Sequence, residues 1–460
     1  MTMKKIKYIA VLLLATFALE GAAQTARSAY FLDGAYHNYL LNPAMKGERG
    51  FFSLAIGNLS LGTNGNVGLS NFIFPLGDDK LTTFMSGSVD QNEFLGNLPA
   101  AARIGFNLDE TLLAMGFRMF GGYTTLGLSL HTDMSISLPK GFFEFAKKGL
   151  QQSNYSFSGI NLNTTNYAAL TLGHSHEIFD GFRVGVNAKF LLGLAYADVT
   201  VDKLNIELSE NRWMAESHAR AKAALFTEAR MTVDEEGIVN GMEMGPIAPS
   251  AMGMAFDLGV MYDMEAIVPG LTLSASVVDL GKINWKYMMT AQSHDAKVEF
   301  DGFEAADPND INASLDAEME KLGEDASEMI KFDVGDVEAA STKLNTTMYL
   351  GAEYNMPFYR PLSVGVLYGQ RFTSLDYNKW HEVRGYLNIA PTKWLEASAN
   401  IGTTSYGTSF GWMFNFHPAG ITFFVGSDYM ITKVTPQFIP VNDLNTHITL
   451  GVNLALGRRK

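Results

Sequence analysis

The 460-residue chain contains no cysteine, which excludes a disulfide, a thiolate metal site and the lipidated cysteine of a lipoprotein. Charge is also scarce. Asp, Glu, Lys and Arg make up 18% of the residues, against about a quarter in ordinary soluble domains. The net charge of −14 is local: 301–338 holds thirteen acidic residues against Lys321 and Lys331, leaving about −3 for the rest of the chain. No basic stripe is available to neutralise phosphates, so nucleic acid is excluded as a partner. Beyond the first two dozen residues, every apolar run is broken by Gly, Asn, Ser, Thr or a charge, and none is a membrane helix. A membrane protein without such helices must be a closed barrel, the other structure that satisfies every backbone group in lipid.

The amino-terminal residues read as an export signal. Lys4, Lys5 and Lys7 form a basic flank, 9–19 is apolar, and Gly21-Ala22-Ala23 offers small residues for cleavage before Gln24. The apolar stretch is about half of the roughly 20 residues a spanning helix needs.

Glycine (44 residues) and aromatics (12%) are plentiful, and much of the chain alternates with a period of two. Over 182–194, Phe182, Val184, Val186, Ala188, Phe190 and Leu192 share one face, while Arg183, Gly185, Asn187 and Lys189 share the other. Leu344, Met348, Leu350 and Ala352 oppose Asn345, Thr347, Gly351 and Glu353; Ile448, Leu450, Val452 and Leu454 oppose His447, Thr449, Gly451 and Asn453. A barrel strand with lipid on one side and a wet interior on the other requires this rhythm. Such segments lie near 99–108, 111–119, 122–134, 166–178, 182–198, 253–265, 270–280, 343–356, 361–371, 383–390, 393–402, 406–416, 420–429 and 446–456. The expectation is an all-β, antiparallel transmembrane β-barrel of about 14 strands, within a range of 12–16. The long connections, 135–165, 199–252, 281–342, 372–382 and 430–445, fall on one side. Short turns such as Phe120-Gly121, Phe179-Asp180-Gly181 and Ala390-Pro391 fall on the other, the asymmetry expected of long outer loops and short periplasmic turns.

These assignments divide the chain into a signal at 1–23, an amino-terminal portion at 24–98 and a barrel at 99–460. The portion 24–98 holds two weaker strand-like pieces, 51–61 and 66–74. It is read as a plug-like segment inside the barrel, with two further strands as the alternative. Two loop helices are expected. One lies at 138–150, where Phe142, Phe143, Phe145, Ala146 and Leu150 make an apolar face. The other lies within the acidic insertion 281–342, where Ile311, Leu315, Met319, Leu322, Ala326 and Met329 recur at helical spacing.

Three phrases in order carry a family likeness: Leu41-Asn42-Pro43-Ala44, Leu138-Pro139-Lys140-Gly141-Phe142-Phe143-Glu144-Phe145, and Val278-Asp279-Leu280-Gly281-Lys282-Ile283-Asn284-Trp285. With the barrel layout, the chain resembles FadL-like outer-membrane barrels, within them a branch of unassigned function common in Bacteroidota, and more distantly the shuttle barrel PorV of the type IX secretion pathway. The resemblance implies an outer-membrane location, a plugged lumen and, as in the characterised branch, uptake of hydrophobic molecules. The ending Leu456-Gly457-Arg458-Arg459-Lys460 departs from the terminal aromatic of many such barrels.

The candidate substrate-binding residues are the lumen-parity charges Arg183, Lys189, Glu353, Arg384 and Glu396, which would tune the interior. Asn42 and Pro43 would form a tight turn in the plug. His174 and His176 share a strand face but lack further ligands, and Ser175 between them points away from both, so neither a metal site nor a nucleophile is read there. Asp307, Asn309 and Glu318 fail the calcium-loop pattern because Ile311 and Asn312 occupy the fifth and sixth positions. No metal, cofactor or enzymatic chemistry is expected. The leading expectation is passive movement of a hydrophobic small molecule, with membrane lipid and the assembly machinery as further partners. The rival is a scaffold or shuttle that binds other proteins through its outer loops. The methionines at 231, 242, 244, 252, 254, 288 and 289, in or beside the long insertions, suit an adaptable apolar entrance or ordinary loop packing.

Overall fold

The structure is a computed structural model. It describes residues 26–457 apart from 46, 48, 78–79, 149–153, 209–212, 226, 236, 246–250, 294–296, 301–330, 406, 419 and 430–444. The signal at 1–23 and the helix expected within 307–329 therefore lie outside the described residues.

Fourteen antiparallel strands close into a barrel. β1 is made of Gly50–Leu54 and Leu59–Gly65, β2 is Ala101–Met119, β3 Gly122–Pro139 and β4 Ile160–Phe179. β5 is Phe182–Leu208, β6 Ala251–Asp263 and β7 Leu271–Ser293, and β8 is made of Phe332–Lys343 and Thr346–Asn355. β9 is Leu362–Phe372, β10 His381–Thr392, β11 Leu395–Thr404, β12 Gly407–Phe416, β13 Ile421–Ser427 and β14 Thr446–Leu456. Each strand pairs with its sequence neighbour, and β14 closes on β1 through Leu59↔Leu450 and Gly50↔Leu456. An additional strand, Trp213–Leu225, continues the wall between β5 and β7 beyond the end of β6.

Two segmentations differ from the sequence reading, and they offset each other in the count. The pieces expected at 99–108 and 111–119 are one strand, β2, with only a register shift between Thr111 and Leu113. Its polar centre is lumenal: Asn107 and Asp109 find Asp133 and His131 on β3. Residues 50–65 are the barrel's first strand, made irregular by Ala55 at a φ of 63°. The insertion read as 281–342 is also partly wall, because β7 runs to Ser293 and β8 begins at Phe332.

The two faces of the sheet carry opposite chemistry. Phe190, Leu350, Val366, Ile401 and Val452 point outward and exposed, whereas Asn187, Ser276, Ser398, Asn415 and Asn453 are buried inside. The short turns expose Phe120, Phe179, Phe358, Tyr359 and Trp394, an aromatic girdle of the kind found at a membrane interface. An apolar outer band, an aromatic girdle and a closed polar interior make this a bacterial outer-membrane barrel. His174 and His176 fall on the outer face next to the girdle, their rings 6.0 Å apart, and Ser175 points inward.

Above the barrel, helix α1 (Gln91–Gly96) and helix α2 (Lys140–Lys148) pack together. The side chain of Asp90 caps α1 by accepting from the backbone of Asn92 and Glu93. Phe94, Leu98 and Phe143 join Val67 and Phe84 in a small apolar core over the outer rim.

Candidate functional site

Residues 26–45 lie inside the barrel, buried against its polar lining. A peptide in that position leaves many N–H and C=O groups needing partners, and the strands supply them. Asp428 accepts from the backbone N–H of Arg27 and of Ser28 at 3.0 and 2.7 Å. Tyr386 donates to the Arg27 carbonyl, Asn187 to the Tyr39 carbonyl and Ser276 to the Leu41 carbonyl. Glu396 accepts from the Gly34 N–H at 3.0 Å.

The outer end of the segment is fixed by charge. The Arg27 guanidinium lies 3.4 Å from Glu382 and 3.2 Å from Asp428, and stacks 5.1 Å over Trp380. Burial opposes its charge, but Glu382, Tyr429 and Asp428 together hold its pKa well above the usual value. Arg384 engages Glu382 with both ends of its guanidinium, at 2.9 and 3.0 Å, and also reaches the Asp428 carbonyl. In the interior of the segment, His37 is neutral. Burial pushes its pKa down to about 4, only partly offset by its 3.0 Å hydrogen bond to Asn453.

The turn at Asn42-Pro43 has a local and a long-range basis. The Asn42 Oδ1 accepts from the Ala44 N–H at 2.9 Å, closing an Asx turn. Its Nδ2 faces the Val260 and Ala275 carbonyls at 3.3 and 3.4 Å. Gly185 and Gly259 make room. A Cβ at 185 would sit 2.1 Å from the Pro43 carbonyl oxygen, and one at 259 would sit 2.1 Å from Asn42 Oδ1.

The segment leaves cavities on both sides. The one towards the short turns measures about 360 Å³ and is lined by Tyr30, Phe31, Tyr36, Tyr39, Met45 and Met261, with Arg183 and Glu353 among its polar groups. The other, about 100 Å³, opens onto Leu40 and Leu41 from the outer half and includes Lys189, Asp109, Asp133 and Arg371.

The five charges singled out in the sequence thus do not form one site. Arg183 and Glu353 line the larger cavity. Glu353 accepts from Ser363 at 2.6 Å, while the nearest polar contacts of Arg183, the Ala44 carbonyl and Glu177, stand at 3.5 and 3.6 Å. Lys189 belongs to the outer cavity, clamped between Asp257 at 2.9 Å and Asp279 at 2.7 Å. Arg384 and Glu396 contact neither cavity and instead support the inner segment. The alternation alone misses Arg27, Asp257, Asp279, Glu382 and Asp428. Asp257 and Glu382 did carry a usable signal, a charge at lumen parity within a greasy strand.

Among the described residues, no three His, Asp or Glu side chains gather as a metal site. A family model described as a family of unknown function, DUF5723, matches residues 43–428. No curated protein matches the chain. Among solved structures, the toluene transporter TodX of Pseudomonas putida is 7% identical, with 95% of this chain and 96% of TodX covered and a TM-score of 0.43. A FadL homologue from Pseudomonas aeruginosa is 10% identical, with 95% and 96% covered and a TM-score of 0.38.

Proposed function

The chain belongs to the DUF5723 family of unknown function, and we propose that it passes a small hydrophobic molecule across the outer membrane, around an internal plug formed by residues 26–45. The observation that carries this reading is the larger cavity. Ligand sites are typically clefts of about 300–1,000 Å³ with mostly apolar walls and a few oriented polar groups. A lumen cavity of about 360 Å³ walled by tyrosines, Phe31, Met45 and Met261 fits that description. Arg183 and Glu353 then orient the passenger, while Lys189, Arg384 and Glu396 hold the surroundings in place. Beside the core of Phe84, Phe94 and Phe143, the exposed Met85 and Phe142 supply an apolar surface over the outer rim on which such a molecule partitions first. The scaffold or shuttle reading leans on the acidic stretch 301–338, most of which lies outside the described residues, and no observation favours it.

The reading is tested by uptake of radiolabelled toluene into cells carrying the barrel, with labelled glucose as the polar control. Cells with the barrel should accumulate toluene faster than cells without it, and glucose entry should not change. Met261→Asp, which places a charge in the cavity wall, should abolish the difference at equal barrel abundance. Equal toluene entry with and without the barrel would remove the proposal.

A further inference from the structure

The outer half of the lumen is built for a different chemistry. Asp109 on β2 and Asp133 on β3 project into the smaller cavity from one wall, and His131 hydrogen-bonds to Asp109 while stacking on Tyr167 with ring centroids 4.8 Å apart. From across the lumen comes Arg371 on β9, six strands away. Its Nη1 donates to Asp133 at 3.2 Å and to Asn378 at 3.0 Å. Arg371 is 4% exposed, yet its buried Nε meets no hydrogen-bond partner. Lys343 on β8 opens onto the same cavity and makes no ion pair among the described residues. Asp279 reaches it from a bulge in β7, where it holds a φ of 60°, a strained conformation for a non-glycine residue of the kind that tends to persist at functional positions.

We infer that this cavity binds a small zwitterion of amino-acid size, with its ammonium towards Asp109 and Asp133 and its carboxylate towards the Nε of Arg371 and the ammonium of Lys343. The charges select for both ends at once. A simple anion would meet the two aspartates, a simple cation would meet Arg371 and Lys343, and an apolar guest would strand both sets without water or partner. A cavity of about 100 Å³ admits several waters, and therefore a solute of a few heavy atoms, but no long chain. The site is separate from the larger cavity, since Leu40 and Leu41 stand at its inner end and the larger cavity lies on the other side of the segment.

The test is equilibrium dialysis of radiolabelled glycine against the purified full-length barrel in detergent at low salt, with acetate and methylammonium as competitors. One saturable glycine site is expected, displaced by either half-molecule at least about tenfold less well than by unlabelled glycine, the loss of roughly one charge-assisted contact. Lys343→Met, an exposed position outside the ion-pair networks, should weaken binding about tenfold, and Lys343→Arg should restore most of it. Asp109→Asn provides a second arm at the ammonium end, with heat-modifiable gel mobility confirming a folded barrel in each case. Non-saturable glycine, acetate competing as well as glycine, or unchanged affinity in folded Lys343→Met would each overturn the assignment. None of these results bears on toluene uptake.

Discussion

Gly185 on β5 and Gly259 on β6 are direct cross-strand partners, and the gap left by their missing side chains is filled by the Asn42-Pro43-Ala44 turn. The sheet and the inner segment are therefore fitted to each other at one address. Gly185→Ala or Gly259→Ala puts a methyl group about an ångström inside normal contact distance, against backbone in the first case, so the turn must move. Planar-bilayer recordings should show larger or more frequent openings for either variant than for the parent. Conductance identical to the parent would mean that the turn does not obstruct the lumen.

The Arg27 cluster makes a second prediction. Glu382 and Asp428 are both buried, and Arg27 lies against both, whereas Arg384 pairs with Glu382 and His447 lies beside Asp428. Arg27→Met leaves an uncompensated buried carboxylate, a change that costs about 3–5 kcal/mol when one partner of a buried pair is removed. Protease should then cut the inner segment in folded barrels, with the strands still resistant. Adding Glu382→Gln to Arg27→Met should recover part of the protection, because it removes the stranded charge.

Acid should loosen the same segment through His37. Its pKa in the folded state, about 4, lies below the unfolded value of about 6.5. The unfolded or released segment therefore binds the extra proton, and stability is fully present above pH 6.5 and declines as pH falls towards 4. Protease sensitivity of residues 26–45 measured from pH 7.5 to 4 should rise over that window, and His37→Gln should flatten the rise. A parent profile with no pH dependence there would refute the assignment.

The polarity of the sheet can be checked at Phe190, which faces lipid and is 53% exposed. Phe190→Arg should destabilise the barrel by roughly 2–4 kcal/mol if that position lies near the bilayer midplane. Urea titration in lipid bilayers reads this directly. Ser276→Ala on the lumen face, losing one hydrogen bond to Leu41, should cost about 1 kcal/mol by comparison.

Much of the wall was legible because alternation is a local property. Phe182 to Leu192 and Ile448 to Leu454 announce their faces residue by residue, and long and short connections sort themselves once strands are counted. The irregular places were not legible. Asn107 and Asp109 resemble a turn until their lumenal partners on β3 are known, and Ala55 breaks the rhythm of β1. The lumenal charges were found by parity, but their purposes were not. Arg384 and Glu396 look like pore-tuning groups in isolation, and only the return of residues 27 and 34 from more than 350 positions away in sequence gives them their work. No spacing rule reports a contact of that range.

The two carboxylates that Arg27 reaches among the described residues, Glu382 and Asp428, lie in the last third of the polypeptide. The stretch that enters the lumen is thus translated first and secured last. Until β10 and β13 are in place neither of these carboxylates faces that guanidinium, so a barrel that stalls before its final hairpins should show an unseated amino terminus. Seating of Arg27 is in this sense a report, written into the chain's beginning, that its end has been built.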